Sequence, residues 1–136
     1  DDGQGAANDC CRTETFTLTI NNVNENPTAL DQSTFTVQES KSTSSAGDAN
    51  LIHTFTITDP DVGQSHSCSL SGAGAYFDVD SNCKLRLTSA LDFESMPTHT
   101  FNLIVSDNGS PTGQTVFGIT VNVGDVKEQP VGIKMN

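Results

Sequence analysis

The sequence predicts an all-β fold, a seven-stranded Greek-key sandwich. Three observations favour this class. Short apolar runs alternate with Thr and Ser, turn residues separate the runs at regular spacing, and no stretch has the periodicity of a helix. Such alternation buries one face of each strand and leaves the other in water. With 34% hydrophobic residues in 136, the chain can form one modest core.

The first apolar run precedes the main body of the fold. Residues 1–13 contain Gly and Asx residues in a loop-like pattern, and Phe16, Leu18 and Ile20 then alternate with Thr. This alternation predicts a strand with one apolar face. Because no earlier strand could pair with it, we expect the strand to belong to a preceding module.

Seven further runs supply the strands of the sandwich. In the run over 98–106, Phe101, Leu103 and Val105 should face the core, and Phe55 and Ile57 should do so in another. Clusters of Gly, Pro, Asp and Asn separate the runs, as turns require. The predicted strands cover residues 35–37, 51–58, 66–70, 77–79, 84–87, 98–106 and 115–123.

Two similar hexapeptides mark the domain boundaries. Asn22–Pro27 and Asp125–Pro130 each follow a strand, are rich in acidic and amide residues, and end in proline. They lie about one hundred residues apart, the size of one sandwich domain. The predicted organisation is therefore the end of one module at 1–27, a complete module at 28–130, and a tail or the start of another at 131–136.

The charge balance excludes several classes of partner. The chain has 17 acidic and 6 basic residues and a net charge of -11. Nucleic acids and anionic membrane surfaces attract basic patches, so neither is expected to bind. The acidity indicates either simple solubility or the binding of divalent cations.

The acidic residues follow strands that lead to two opposite ends of the sandwich. Asp59, Asp61 and Asp107 should meet at one end. Clustered carboxylates repel one another, and Ca²⁺ binds six to eight oxygens of this kind. Ordinary polar turns would give the same spacing, and the spacing alone leaves both interpretations open. The residues expected at the other end are Glu39, Asp92, Glu94, Asp125 and Glu128.

The four cysteines indicate an oxidising, extracellular setting. Cys68 and Cys83 fall at strand ends, which favours a disulfide between them, although three pairings of four cysteines are possible. A direct bond between the adjacent Cys10 and Cys11 would be strained, so each could pair elsewhere, in this chain or in another. No zinc-ligand spacing occurs. Asn108 begins a glycosylation sequon, which Pro111 follows.

Five short motifs, in order and at repeat spacing, resemble the extracellular cadherin repeat, an immunoglobulin-like sandwich. In that family a Glu closes the first strand, Asp-x-Asp follows the second, and Asp-x-Glu and Asp-x-Gly lie further on before an acidic linker. The match covers residues 28–130, and Asp2-Gly3 resembles the Asp-Gly turn of a preceding repeat. The matching stretches are Val37-Gln38-Glu39, Asp59-Pro60-Asp61, Leu91-Asp92-Phe93-Glu94, Asp107-Asn108-Gly109 and the two linkers.

The resemblance implies a rod of repeats with calcium held at each junction, and cell–cell adhesion by the parent protein, through neighbouring repeats and a homophilic or heterophilic protein partner. The family's ligands at the first junction correspond to Asn24, Glu25, Asn26, Asp59, Asp61 and Asp107. Those at the second correspond to Glu39, Asp92, Glu94, Asp125 and Glu128.

Several positions depart from the family's pattern. Asn22 replaces the opening Asp of the first linker, Ser65 or His66 stands where Asn is usual, and Lys127 places a cation in the second linker. We therefore expect weaker calcium binding at the second junction. The chain has no Trp, so adhesion by exchange of a Trp-anchored strand is excluded for this piece.

Two other classes of function compete with a calcium-binding module. A calcium-independent spacer, or a repeat of a cross-linked extracellular filament, would suit the altered linkers and the adjacent cysteines. Catalysis is not expected, because His53, His66 and His99 lie on separate strands or strand ends and no phosphate loop or nucleophile elbow is present.

Overall fold

A computed structural model describes residues 13–127 of the chain, and these residues form an all-β fold, as predicted. Among them the only helical element is a single 3-10 turn at Ala46–Asp48, and no helix is long and apolar enough to cross a membrane. The strands are β1 Ala29–Leu30, β2 Thr34–Gln38, β3 Leu51–Thr54, β4 Ile57–Thr58, β5 His66–Ser71, β6 Phe77–Val79, β7 Lys84–Leu87, β8 Thr98–Asp107 and β9 Gln114–Gly124.

Two larger sheets enclose the core. One has the order β2-β9-β8-β5 and the other the order β3-β7-β6, while β1 and β4 form a short separate pair. In the four-stranded sheet β2 runs parallel to β9, and the remaining pairs are antiparallel. The long strands β8 and β9 pair over their whole common length, from Thr98 opposite Asn122 to Ser106 opposite Gln114.

The core lies between these sheets and comes from alternate residues of their strands. Phe55, Phe101, Leu103 and Val105 are buried as predicted, and Ile57 packs against the core while staying partly exposed. The burial pattern of β8 alternates strictly over its first six residues, which is the pattern that identified the strand in the sequence. The other buried apolar residues are Phe35, Val37, Phe77, Val79, Cys83, Leu85, Leu87, Leu91, Ile119, Val121 and Val123.

A disulfide connects the edge strand β5 to the start of β7 in the other sheet. Cys68 on β5 bonds to Cys83, which immediately precedes β7. This confirms the pairing that the sequence favoured. Cys10 and Cys11 lie outside the described residues.

The predicted count of seven strands is not confirmed, since the described part has nine. The run over 51–58 divides into β3 and β4 because the chain changes partner there. β3 pairs with β7, whereas β4 pairs with β1. Between them Phe55 N–H bonds to the carbonyl of Cys83, and Thr56 N–H bonds to the Asp31 side chain.

The strand predicted at Phe16, Leu18 and Ile20 is absent from the structure. These three side chains are more than four-fifths exposed, and the segment forms no strand. A strand needs a hydrogen-bonded neighbour, and none of the strands in the described part pairs with this segment. The alternation of apolar residues with Thr was therefore not enough to predict a strand in this segment.

The strand registers define two ends of the four-stranded sheet. At the first end His66 pairs with Asp107, and β9 begins at Gln114. At the second end Gln38 pairs with Gly124, so Glu39 and Asp125 follow as neighbours. β9 spans its eleven residues between the two ends. The predicted separation of the acidic residues into two groups follows from this arrangement.

Candidate metal centre

The first group consists of Asp59, Asp61 and Asp107, here called the first acidic cluster. Asp59 and Asp61 lie in the turn after β4, and Asp107 is the last residue of β8. Asp61 and Asp107 are buried. Burial of a carboxylate is costly unless hydrogen bonds or a cation compensate its charge.

The segment before β1 supplies hydrogen-bond donors to this cluster. Asn22 Nδ2 lies 2.5 Å from Asp61 Oδ1, and the backbone N–H of Glu25 donates to Asp61 Oδ2 over 2.6 Å. Asn24 Nδ2 donates to Asp107 and to the carbonyl of Pro111. The segment is thereby attached to two separate turns of the domain.

Backbone groups stabilise the charged form of Asp107. Burial raises the pKa of this carboxyl, but hydrogen bonds from the N–H groups of Gly113 and Gly109 and from the Asn24 amide outweigh burial. The net result is a pKa below its ordinary value. Asp107 is therefore ionised at neutral pH.

Asp59 has a different set of partners. Its Oδ1 accepts the N–H of Asp61 over 2.8 Å, and its Oδ2 lies 2.8 Å from Nε2 of His66. The Asp59 side chain is only 3% exposed. His66 thus provides a partner for a carboxylate that water scarcely reaches.

Gln64 completes the surroundings of the first acidic cluster. Its amide nitrogen donates to Asn24 Oδ1 over 2.6 Å. Its carbonyl oxygen Oε1 is buried, and no donor to it is found among the described residues. An acceptor oxygen without a donor, on a side chain that is hydrogen-bonded to Asn24, is suited to a cation.

Two glycines make room for the side chains of the cluster. A Cβ on Gly113 would collide with Asp107 Oδ2 and would lie 2.6 Å from Asn26 Oδ1, so oxygens from two distant segments converge here. A Cβ on Gly109 would collide with the Asn24 amide. Neither glycine has a positive φ, so the close approach itself is what requires glycine.

The second group, Glu39, Asp92, Glu94 and Asp125, is here called the second acidic cluster. Glu39 Oε2 accepts the N–H of Phe93, and Oε1 accepts the N–H of Val126, each over 3.0 Å. These two hydrogen bonds hold the pKa of Glu39 below its ordinary value, and the bond from Val126 contributes more than the bond from Phe93.

A cavity of about 590 Å³ lies at the second acidic cluster, with Glu39, Asp92, Glu94 and Val126 in its wall. Asp92 Oδ1 accepts the N–H of Glu94 over 3.1 Å, which closes a tight turn. Asp125 directly follows Gly124, which pairs with Gln38, so it lies in register beside Glu39. Glu128 lies outside the described residues.

The contacts bring members of each predicted group near one another, but their role as metal ligands stays a prediction. Within residues 13–127, no set of three or more His, Cys, Asp or Glu side chains is arranged to hold a metal ion. The amide oxygens of Asn24, Asn26 and Gln64 and the backbone carbonyls are the other oxygen donors at the first acidic cluster. Carboxylate, amide and carbonyl oxygens together are the donor set that calcium accepts, so the residues present fit that ion chemically.

Sequence reasoning did not foresee the contacts of Gln64, and it identified His66 only as one of two residues at a position where the family has Asn. The feature of the sequence that could have indicated these contacts is the short distance of both residues from Asp59 and Asp61 along the chain. Spacing could not show that His66 would contact Asp59, or that the Gln64 carbonyl would be buried without a donor. Glu25, predicted as a ligand, contacts Asp61 through its backbone N–H.

No protein-family model matches the sequence. Solved structures do resemble it. The human mucin-like protocadherin EC1-2 is 26% identical with a TM-score of 0.59, and the match covers 76% of this chain and 56% of that one. The protocadherin gammaB7 EC3-6 cis-dimer structure is 23% identical with a TM-score of 0.64, and the match covers 82% of this chain and 28% of that one. Mouse cadherin-23 EC22-24 is 18% identical with a TM-score of 0.57, and the match covers 74% of this chain and 33% of that one.

These similarities show that the chain has a β-sandwich fold. More specifically, it has the fold of a cadherin extracellular repeat, which confirms the predicted resemblance at the level of the fold. The chain spans between about a fifth and just over half of the length of the structures it matches.

Proposed function

We propose that this chain is a calcium-binding extracellular module of a multi-repeat protein, in which calcium stiffens the junctions between repeats and the rod serves cell–cell adhesion. The cadherin-repeat fold and the disulfide between Cys68 and Cys83 support an extracellular role. Neighbouring repeats and a homophilic or heterophilic protein partner are the proposed contacts. The proposed role involves no catalysis, nucleic acid or membrane contact.

The observation that carries the proposal is the attachment of the segment around Asn24 to the first acidic cluster. Glu25 N–H bonds to Asp61, and the Asn24 amide bonds to Asp107, so the chain entering the domain crosses the carboxylates directly. A cation bound here would contact the entering segment and the domain together. Its binding would then restrict the angle between this domain and whatever precedes it.

The repulsion between neighbouring carboxylates favours the binding of a cation. Close carboxylates at a protein surface repel by about 1 to 4 kcal/mol per pair. The hydrogen bonds to Asp61 and Asp107 offset part of that repulsion, and a doubly charged ion would offset more. Since Asp107 is ionised at neutral pH, no proton has to leave it before calcium binds.

Two sets of ligands are proposed. The first junction would use Asn24, Glu25, Asn26, Asp59, Asp61 and Asp107, with Glu25 contributing little through its exposed side chain. The second would use Glu39, Asp92, Glu94, Asp125 and Glu128. The exposed Lys127 next to that set favours weaker binding there.

Thermal unfolding of the full chain, with millimolar calcium and with chelator, tests the proposal. A ligand at ten times its dissociation constant adds about 1.4 kcal/mol, which corresponds to several degrees for a domain of this size. Asp59→Asn should remove most of this shift. Asp78→Asn, which neutralises an exposed Asp on β6, is the matched control and should keep it. An equal shift in both variants would contradict the assignment.

A calcium-independent spacer is the second candidate, and one observation favours it. Asp61 and Asp107 already accept several hydrogen bonds each, so their charges have partners without a cation. The spacer requires the same melting temperature in calcium and in chelator. Its cross-linked form, through Cys10 or Cys11, predicts multimers on a non-reducing gel.

A further inference from the structure

The loop between β8 and β9 contains a chemically reactive pair of residues. Asn108-Gly109 is the only Asn-Gly pair in the sequence, and the Asn108 side chain is exposed. An Asn-Gly pair can lose ammonia because the backbone nitrogen of the glycine attacks the neighbouring side-chain amide, and a glycine has no side chain to obstruct that approach. Asn108 therefore has both the sequence and the exposure that deamidation requires.

The reaction consumes only water. The N–H of Gly109 gives its proton to the solvent, and the nitrogen forms a bond to Cγ of Asn108. The bond between Cγ and Nδ2 then breaks, ammonia leaves, and a cyclic imide remains. Water adds to either carbonyl of the imide and opens the ring, which gives Asp or isoaspartate, in which the main chain passes through Cγ. No oxidant, reductant or second protein is needed.

In the folded domain both reacting groups are engaged in hydrogen bonds. Gly109 N–H donates to Asp107 Oδ1 over 2.9 Å, and Asn108 Oδ1 accepts the N–H of Ser65 over 3.1 Å. The Gly109 nitrogen cannot attack while its N–H is bonded to Asp107, and the Asn108 side chain cannot turn toward that nitrogen while it is bonded to Ser65. The reaction must therefore begin from a locally opened loop.

The segment that enters the domain holds the same loop closed. Asn24 Nδ2 donates to the carbonyl of Pro111 over 2.8 Å and also to Asp107. The Asn24 side chain lies directly against Gly109, because a Cβ on Gly109 would collide with it. These contacts lie on both sides of Asn108 in the chain. Their loss would therefore let the loop open more often.

We propose that Asn108 is a site of spontaneous deamidation, and that the entering segment controls the rate of the reaction through Asn24. While Asn24 contacts the loop, Asn108 is protected. When the segment detaches, Asn108 converts to Asp or isoaspartate, and the lost ammonia makes the change irreversible. The proposal goes beyond the calcium-binding role and does not depend on it.

The product changes the surroundings of the first acidic cluster. Either product adds a negative charge at the residue next to Asp107, which increases the repulsion between carboxylates there. Isoaspartate also lengthens the main chain between Asp107 and Gly109 by one carbon, so the hydrogen bond between these two residues cannot keep its geometry. Deamidation should therefore weaken the attachment of the entering segment to the domain.

Mass spectrometry of the full chain, incubated at neutral pH in chelator, measures the conversion. The protein is produced in a host that does not glycosylate, so that Asn108 carries no glycan. We expect Asn108 to convert at least about tenfold faster in the chain unfolded by guanidinium than in the folded chain, because folding closes the loop. Asn82, which is exposed but precedes Cys83, is the internal control and should convert far more slowly than Asn108 in the unfolded chain. Equal rates for Asn108 in the folded and unfolded chains, or no conversion in the unfolded chain, would overturn the proposal.

A matched pair of variants tests the control by the entering segment. Asn24→Ala removes the amide that holds the loop, and it should speed the conversion of Asn108 in the folded chain at least about fivefold. Gln32→Ala removes an exposed amide that bonds to the carbonyl of Thr34, and it should leave the rate within about twofold. Asn24 belongs to neither sheet, so its replacement leaves the core intact, and melting curves confirm that both variants are folded during the incubation. Equal rates in the two variants would overturn the role of Asn24. Since all rates are measured without calcium, failure of the proposed calcium site would leave them unchanged.

Discussion

The side-chain amide of Asn24 donates hydrogen bonds to both carboxylate oxygens of Asp107, over 3.1 and 3.2 Å, although 83 residues separate the two in the chain. The pair links the entering segment to the end of β8. It also places the amide of Asn24 where a cation would otherwise compensate the charge of Asp107.

Exchange of that amide for a carboxylate tests this role. In chelator, Asn24→Asp should lower the free energy of unfolding by about 1 to 3 kcal/mol, since it removes a donor and adds a second charge beside Asp107. In calcium the new carboxylate becomes a ligand, so the variant should gain more from calcium than the parent does. Calorimetry in both conditions measures this. Asn82→Asp, in an exposed turn, is the control, and a similar calcium response in both variants would count against the site.

The close approach at Gly113 gives a second prediction. Gly113→Ala forces a methyl group into the space of Asp107 and Asn26, so we expect it to destabilise the fold and to reduce the calcium response. Gly118→Ala on β9 is the control, because a Cβ there meets nothing within 4 Å, and it should be stabilising by about 0.4 to 1 kcal/mol. Urea denaturation with and without calcium compares them. A Gly113→Ala variant as stable as the parent would show that the cluster has more room than the structure indicates.

Acid should weaken the fold through His99 before it affects the carboxylates. His99 is 7% exposed, and no hydrogen-bond partner of its Nε2 is found in the described part of the chain. Burial lowers its pKa below 6.5. Below pH 6.5, His99 is protonated in the unfolded chain but stays neutral in the folded chain. The free energy of unfolding therefore falls as pH drops from 6.5 toward the pKa of His99 in the folded chain.

The variant His99→Phe isolates this effect. It keeps an aromatic ring against Tyr76 and Phe77, whose rings lie 4.7 and 5.3 Å from that of His99. The free energy of unfolding in urea should fall less between about pH 7.5 and about pH 5.5 in the variant than in the parent. Glu39 and Asp107 titrate below their ordinary values of 4.5 and 3.8, outside this window. Equal pH dependence in both proteins would exclude His99 as the source.

The disulfide should contribute substantially to stability. Cys68 and Cys83 are 15 residues apart, and a loop of that length corresponds to about 3 kcal/mol in the chain-entropy model. Replacing both by Ala should therefore lower the midpoint of guanidinium unfolding. A reducing agent should lower the midpoint of the parent and leave that of the double variant unchanged. A drop in the double variant on reduction would reveal another stabilising disulfide.

The strands that sequence predicted best are those with long alternation. β8 was expected at 98–106 and lies at Thr98–Asp107, and β9 was expected at 115–123 and lies at Gln114–Gly124. Alternation of apolar and polar residues indicates which face of a strand is buried. It does not indicate which strand is the hydrogen-bonded neighbour. For this reason the division of residues 51–58 into two strands and the lack of a strand at 16–20 were not foreseen.

Membership of the calcium site stays a prediction, and the structure bears only on where its residues lie. Strand order was enough to bring Asp59, Asp61 and Asp107 to one end, because consecutive strands deliver their turns alternately to the two ends. The contacts of Gln64 and His66 depend on the paths of individual turns, and residue spacing does not determine those paths.

The parallel pairing of β2 with β9 has a mechanical consequence. The chain enters at one end of the sandwich and leaves at the other, so tension on the chain pulls β2 and β9 in opposite directions along their common axis. The hydrogen bonds between them, from Thr34 opposite Thr120 to Gln38 opposite Gly124, are then loaded in shear and resist together. A pull of this kind must break the bonds at once, which gives the domain a high resistance to stretching whether or not an ion is bound.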